Sequence, residues 1–541
     1  MLGKHAPQTS LYDVGNVFPL KLPPRSFHGQ LANAAERKIF KDADFEKLYC
    51  ANNGRPSTPP SQLAFLVILQ GHAGVSDAEA IERSAYDLRW CAVLRKPGGE
   101  QLCAKSTLCI FRAQLLLHDK IRAVFKASLH EAKTAGLLKG EALWVATDTK
   151  PIEGRGAVED TYNLLATGIG MLAGALAGKA GKSKPAWLAE AGLERYSEVS
   201  VKGSVDIDWS DKAAKERFLT EIVADARKLL SLANGQGEKI KSAAELLGQL
   251  LLQDVEEVSG EDGPRASVKE GTAPGRIPSA TDPEMRHGRK SKSKRFNGHK
   301  AAIVTDIESG IIVACDVLGG DEADSTGVLA LTEQAEANTS LKVEVTIGDC
   351  AYGGGAIRKE YEAAGRTLLA KVPQESANGG RFKKSDFTID LESRSATCPA
   401  GHTSNEFREH PDGGLTFYFD DYCAGCPLRA KCTTSEYGRT LSVHPQEALI
   451  QAARVLQATP EGRGQLRKRL IVENALARLS HLGISHARYK GRKKTGFQLA
   501  IASTVANFRR TWNWTARQTA NLVTIVGPIG VSGHNTQLSA G

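Results

Sequence analysis

The chain has 541 residues, is 41% hydrophobic and carries a formal charge of +9. That length exceeds what one core usually serves, so two to four packed units are expected. The opening stretch MLGKHAPQTSLYDVGN has no apolar segment of secretory type, and the longest uncharged apolar run, 164–178, falls short of the roughly 20 residues that span a bilayer, which speaks against export and membrane roles.

Residues 1–26, with Pro7, Pro19, Pro23 and Pro24, are expected to be irregular. From 27 to 138 apolar residues recur three and four apart, as in an all-helical domain. Ser76 and Ser106 stand at N-cap positions, and Glu79 completes a capping box with Ser76. The run ALWVATD (142–148) reads as a buried strand ending in Asp148. Helical periodicity returns over 166–254 as an insertion, and 255–297, rich in Gly, Pro, Ser and charge, reads as a basic linker. Residues 286–300 hold seven Lys or Arg and no acid, which predicts a disordered loop that orders on DNA.

A hairpin is expected over 298–320 with its turn at IESG, then a helix at 324–338, a strand at 342–349, a helix at 355–364 and a strand at 367–372. A second interruption, 381–445, precedes a helix over 466–483, and 516–541 reads as a flexible tail. With the interruptions removed, 139–165, 298–380 and 446–515 form one α/β unit, a mixed sheet flanked by helices.

Asp148 and Asp349 each end a strand-like run, where open α/β sheets bind ligands, although an aspartate there also serves as a cap or turn former. Glu473 is the single acid between Arg463 and Lys494, a stretch with ten Lys or Arg. It lies on the flank of the stripe formed by Val472, Leu476, Leu479 and Leu482, and could equally pair simply with Arg469 one turn earlier. Three carboxylates brought together repel unless a cation lies between them. Oxygen ligands without His or Cys suit two Mg²⁺ or Mn²⁺ ions acting on one phosphorus. The cations Arg289, Lys290, Lys292, Lys294, Arg295, Lys300, Arg478, Arg488, Lys490, Arg492, Lys493 and Lys494 would then hold a DNA backbone against that centre.

Cys398, Cys423, Cys426 and Cys432, with His402 nearby, form a reasonable tetrahedral Zn²⁺ set, and the segment between them alternates like a ribbon hairpin turning at Gly413-Gly414. Free core thiols are the alternative. Cys103 and Cys109 read as core residues on a helix, and the irregular spacing of the ten cysteines favours reduced thiols in the cytoplasm.

Asp148, then GDCAY with Asp349 and Tyr352, then R-x-x-x-E at Arg469 and Glu473, followed by YKGR and ANFRR, resembles the DDE-type transposases of bacterial insertion sequences. The N-terminal GRPSTPPSQLAFLVILQGHAGVSDAEAIERSAYDLRW is similar to the helical domain that precedes catalysis there. The cysteine-bearing insert is similar to that of insertion-sequence family 1182 or a close relative. The resemblance implies an RNase H-like mixed-sheet core, an N-terminal DNA-binding domain, and Mg²⁺-dependent cleavage at transposon ends followed by attack of the 3′-OH on target DNA. It implies Asp148, Asp349 and Glu473 as the triad, with Arg469 and Tyr352 in support. Double-stranded DNA as terminal repeats and target, a homo-oligomer on DNA and a nucleoid-associated location follow from it too. Ser480 and Leu466 stand where related enzymes often carry Lys and Tyr, and DTKP departs from the commoner first motif. A non-catalytic zinc-containing DNA-binding regulator and an RNase H-like nuclease are the competing classes.

Overall fold

A computed structural model describes residues 1–4, 22–51, 54–198, 200–233, 237–260, 263–291, 293–372 and 379–525, with side chains to 518. The first helices are α1 (Phe27–Glu36), α2 (Pro60–Ala73), α3 (Asp77–Tyr86), α4 (Leu88–Leu94), α5 (Lys105–Leu117) and α6 (Ile121–Thr134). Helix α2 is buried all round from Pro60 to Gln70, so it forms the centre of this bundle. Ser76 caps α3 by accepting from the Glu79 N–H at 3.1 Å. Ser106, by contrast, lies inside the first turn of α5, whose cap is the extended residue Ala104. Cys109 on α5 is exposed and Cys103 precedes that helix half-buried, so neither is a core thiol on a helix.

Strand β1 (Ala142–Glu153) runs well past Asp148, because its pairing with a later strand continues to Glu153. The insertion follows as α7 (Thr161–Lys179), α8 (Lys184–Ala191), α9 (Lys212–Leu232) and α10 (Glu238–Asp254), packed round Leu164, Ile169, Leu219 and Leu247. Among the described residues no single helix is long and apolar enough to cross a membrane.

The expected linker is structured. Its residues form a hairpin of β2 (Val255–Gly260) and β3 (Gly263–Val268), then β4 (Arg286–Arg289) paired with the start of β5 (Arg295–Asp306). Apolar anchors explain this, since Ala266 and Phe296 are buried, and Arg276 grips Asp254 through two hydrogen bonds of 2.7 and 2.6 Å. The basic stretch 286–300 is therefore a β-hairpin over its described residues.

After β5 come β6 (Ile312–Gly319), α11 (Val328–Thr339), β7 (Lys342–Gly348), α12 (Gly355–Ala363) and β8 (Thr367–Ala370). The main sheet runs β5-β1-β7-β8, with β4 and β6 both paired to β5. Strand β5 is antiparallel to β1 and β6, whereas β1, β7 and β8 are parallel.

The cysteine-rich segment builds two small sheets. One contains β9 (Thr388–Asp390), β10 (Ser395–Thr397) and β11 (Thr403–Ser404), and the other β12 (Phe407–Glu409), β13 (Leu415–Tyr418) and β14 (Thr440–Val443). Single-turn helices α13 (Asp420–Cys423) and α14 (Arg429–Cys432) carry Cys423 and Cys432, and Cys426 lies between them.

The chain closes with α15 (Glu447–Ala458), α16 (Pro460–Arg467), α17 (Leu470–His481) and α18 (Arg492–Ile525). The single helix expected over 466–483 is broken at Lys468-Arg469, and the tail expected from 516 stays helical to Ile525. Helix α18 packs Leu499, Ala502 and Ala506 on the sheet and Phe497, Ile501, Val505, Phe508 and Trp512 into the N-terminal bundle. It thus belongs to two cores.

Candidate active site

Parallel pairing sets Ala146 of β1 beside Ile347 of β7, and so brings Asp148 and Asp349, two residues further on, level at the same end of the sheet. Asp349 caps the short turn Cys350–Tyr352, accepting from the Ala351 N–H at 2.8 Å. Tyr352 is buried against Gly348, where a Cβ would lie 2.7 Å from its ring, so only glycine lets the ring close under the strand end. Its hydroxyl is buried with no hydrogen-bond partner among the described residues, although Thr147 lies near it. Tyr352 thus supports Asp349 through packing and the turn.

Helix α17 crosses this end of the sheet. Arg469, just before its first turn, donates to Asp148 Oδ2 at 3.1 Å and to Glu473 Oε1 at 2.6 Å. One guanidinium therefore joins two carboxylates 325 positions apart in the chain (473 − 148). Glu473 stays about half exposed (47%), while Asp148 is largely enclosed (18%).

Burial pushes the Asp148 carboxyl up to about 6, against the pull of the Thr149 N–H and Arg469, and the charges of Asp349 and Asp324 push the same way. Asp324 is an acid that sequence reasoning missed. It lies between β6 and α11, is held by Lys300 Nζ at 2.8 Å, and bears on both Asp148 and Tyr352. The only prior signal was the acidic run GGDEAD after a strand, which reads equally as a helix start.

The four predicted cysteines, with His402, line one small cavity, where Cys432 feels the charges of Cys423, Cys398 and Cys426. His402 stacks on Tyr422 with ring centroids 5.3 Å apart. Among the described residues no three His, Cys, Asp or Glu side chains are drawn together closely enough to close round a metal ion as they stand, at this cavity or at the carboxylates.

The predicted DNA-contacting cations divide in two. Arg289, Lys290, Lys294, Arg295, Lys490, Lys493 and Lys494 are exposed, and Lys292 lies outside the described residues. The others are engaged inside the protein. Lys300 is buried and donates to Asp324 and to the Glu322 carbonyl. Arg478 donates to the Gly310 carbonyl at 2.7 Å, Arg488 to the Val75 carbonyl at 2.6 Å, and Arg492 to the Val317 carbonyl and Glu322. Their charges satisfy buried carbonyls between elements, a role that a count of charges along the chain does not separate from a surface one.

Fold and site together define an α/β protein with an acidic centre at one end of two parallel strands. Residues 397–512 match the family model described as a transposase DDE domain, and residues 20–114 match that of a transposase domain named DUF772. These matches support a DDE-type transposase and indicate a transposase function, that of an enzyme acting on DNA; such transposases are generally divalent-metal dependent. The first match takes in Glu473, Arg469 and the four cysteines, and the second most of the N-terminal bundle, while Asp148 and Asp349 lie outside both. No curated protein and no solved structure matches the chain.

Proposed function

We propose that this chain is a metal-dependent DNA transposase, with Asp148, Asp349 and Glu473 as its catalytic carboxylates, and that it cleaves transposon ends and joins the 3′-OH to target DNA. The observation that carries the reading is the convergence of Asp148, Asp349 and the Arg469–Glu473 pair at one sheet end. The strand order, the parallel strands β1, β7 and β8 with the antiparallel β5 and its partners β4 and β6 beside them and a helix crossing their end, supports an RNase H-like core. The cysteine-bearing insert within the DDE match supports kinship with insertion-sequence family 1182.

A divalent metal fits this donor set. Burial first, and then two neighbouring carboxylates, raise the Asp148 carboxyl to about 6 and so disfavour its charged form, an environment that a cation would relieve. Asp148, Asp349 and Glu473 would hold Mg²⁺ or Mn²⁺, which when bound activates an attacking oxygen and offsets charge on a leaving one. The protein's own part is distinct. Arg469 holds Glu473 and Asp148 in register, Tyr352 and Gly348 set the turn that carries Asp349, and exposed cations of the β4–β5 hairpin and of 490–494 bring phosphates to the acids.

The test is strand transfer with Mg²⁺ on the DNA ends that flank the gene. Asp349→Asn, Asp148→Asn or Glu473→Gln should each lower joining by at least about 100-fold, since even residues that only orient metal ligands are worth 10–100-fold. An Asp349→Asn protein that joins ends normally removes the triad assignment, whereas a wild-type protein that binds the ends but neither cleaves nor joins them leaves the non-catalytic DNA-binding reading in its place.

Cys398, Cys423, Cys426 and Cys432 round one cavity, which His402 also lines, support a structural Zn²⁺. Elemental analysis of purified protein should give about one zinc per chain, the content of a single four-ligand site. A content far below that dismisses the site.

A further inference from the structure

Lys150 follows Asp148 by two residues on β1, so the two side chains share a face of the strand. Ser480 follows Glu473 by seven residues on α17, close to two turns, and again shares its face. The two elements therefore meet twice, first where Arg469 joins Asp148 to Glu473, and again where Lys150 Nζ donates to Ser480 Oγ at 2.5 Å. Ser480 in turn donates to the Leu476 carbonyl at 2.8 Å, which directs its lone pairs to the lysine.

Lys150 has no carboxylate partner among the described residues. It is half-buried, and the charges that bear on it are those of Lys290 and Lys294, exposed residues at the turn of the β4–β5 hairpin. That turn is closed by the Lys290 N–H donating to the Lys294 carbonyl at 2.8 Å. Three ammonium groups gathered with no acid among them repel one another, and the group that resolves the repulsion is an anion. Its place is set by the strand and helix that also present Asp148 and Glu473, so an anion held there adjoins the acidic centre.

We propose that Lys150, oriented by Ser480 and joined by Lys290 and Lys294, binds one backbone phosphate of the DNA strand next to the carboxylate centre and so positions that strand. The proposal rests on the DNA-transposase reading for its ligand, but its test needs no catalysis.

The full-length protein is titrated, with EDTA present, against a fluorescein-labelled duplex copied from the DNA flanking its coding sequence, and binding is followed by anisotropy over a salt series. Lys150→Met and Lys150→Gln should weaken binding about tenfold at low salt and flatten the dependence of log K on log salt by about one, the share of one phosphate contact. Lys150→Arg should keep the slope. Ser480→Ala should lose affinity with the slope kept, because the charge remains while its orientation goes. Thermal melting monitors the fold in each case. A wild-type slope in both Lys150→Met and Lys150→Gln, with or without a lower melting temperature, makes the lysine structural and overturns the proposal. Asp349→Asn, run alongside, should bind with an unchanged slope and fail to join ends. A flattened slope in the Lys150 variants together with an active Asp349→Asn protein would keep the phosphate site and overturn the triad instead.

Discussion

Arg469 reaches Asp148 and Glu473 at once, so the protein's own cation offsets part of the repulsion that would otherwise hold these acids apart. Half of that arrangement was legible beforehand, because a four-residue spacing on a helix brings Arg469 and Glu473 together wherever the helix lies. The bond to Asp148 was not, since the two residues stand 321 positions apart and no local rule spans that distance. Asp324 was invisible for the same reason. A similar contact ties the N-terminal bundle to the segment after α17: Arg112 grips Asp77 through bonds of 2.7 and 2.5 Å, and Arg488 reaches the same carboxylate at 3.5 Å. Arg112 holds Asp77 well below the usual carboxylate range. Removing one partner of such an enclosed pair strands the other's charge, so Asp77→Ala should cost about 3–5 kcal/mol in urea unfolding, and Asp77→Asn less. A loss under about 1 kcal/mol would mark the pair as surface-like.

Among the elements, the strands and helices with clean periodicity came out close to expectation, as at β7 (Lys342–Gly348) and α12 (Gly355–Ala363). The region taken for a linker did not, because Gly, Pro and charge mark turns as well as loops. Its strands are short, and of their buried anchors Ala266 packs into the core of the helical insertion while Phe296 closes over Gly288 of the paired strand. Helix α18 shows an element completing another's hydrogen bonds. Asn507 accepts from the Ile312 N–H at 2.9 Å and donates to the Ile312 carbonyl at 2.8 Å, standing in at the edge of β6 for a neighbouring strand. Asn507→Ala would leave both groups buried and unpaired, at a cost of about 1–3 kcal/mol for each. Hydrogen exchange should then quicken at Ile312 while the central strand β7 keeps its protection; equal quickening at both would point to global loosening.

At the scale of the molecule, α18 joins the N-terminal bundle to the sheet, and a histidine lies in that junction. His72 of α2 stacks on Phe27 with centroids 3.6 Å apart and accepts a hydrogen bond from Arg509 of α18 at 2.9 Å. Burial, then Arg509 and His28, push its pKa down to about 3. The folded protein therefore keeps His72 neutral where the unfolded chain takes up a proton. This contribution is full above about pH 6.5 and is lost progressively as pH falls from there towards 3. Chemical unfolding at pH 7 and pH 5 should show wild type losing stability, and His72→Gln losing less; an equal loss in both would clear His72 of the effect.

Periodicity, capping residues and spaced acids, cations and cysteines are local properties, and from them the sequence alone determined the helical N-terminal region and the mixed α/β character of the chain, and singled out the candidate residues. Which cations face solvent, that the basic stretch forms a β-hairpin, that Asp324 and Lys150 border the centre and that α18 serves two cores were decided only by the tertiary structure. Most of these depend on groups far apart in the chain competing for the same buried space, and packing settles that competition over the whole chain at once.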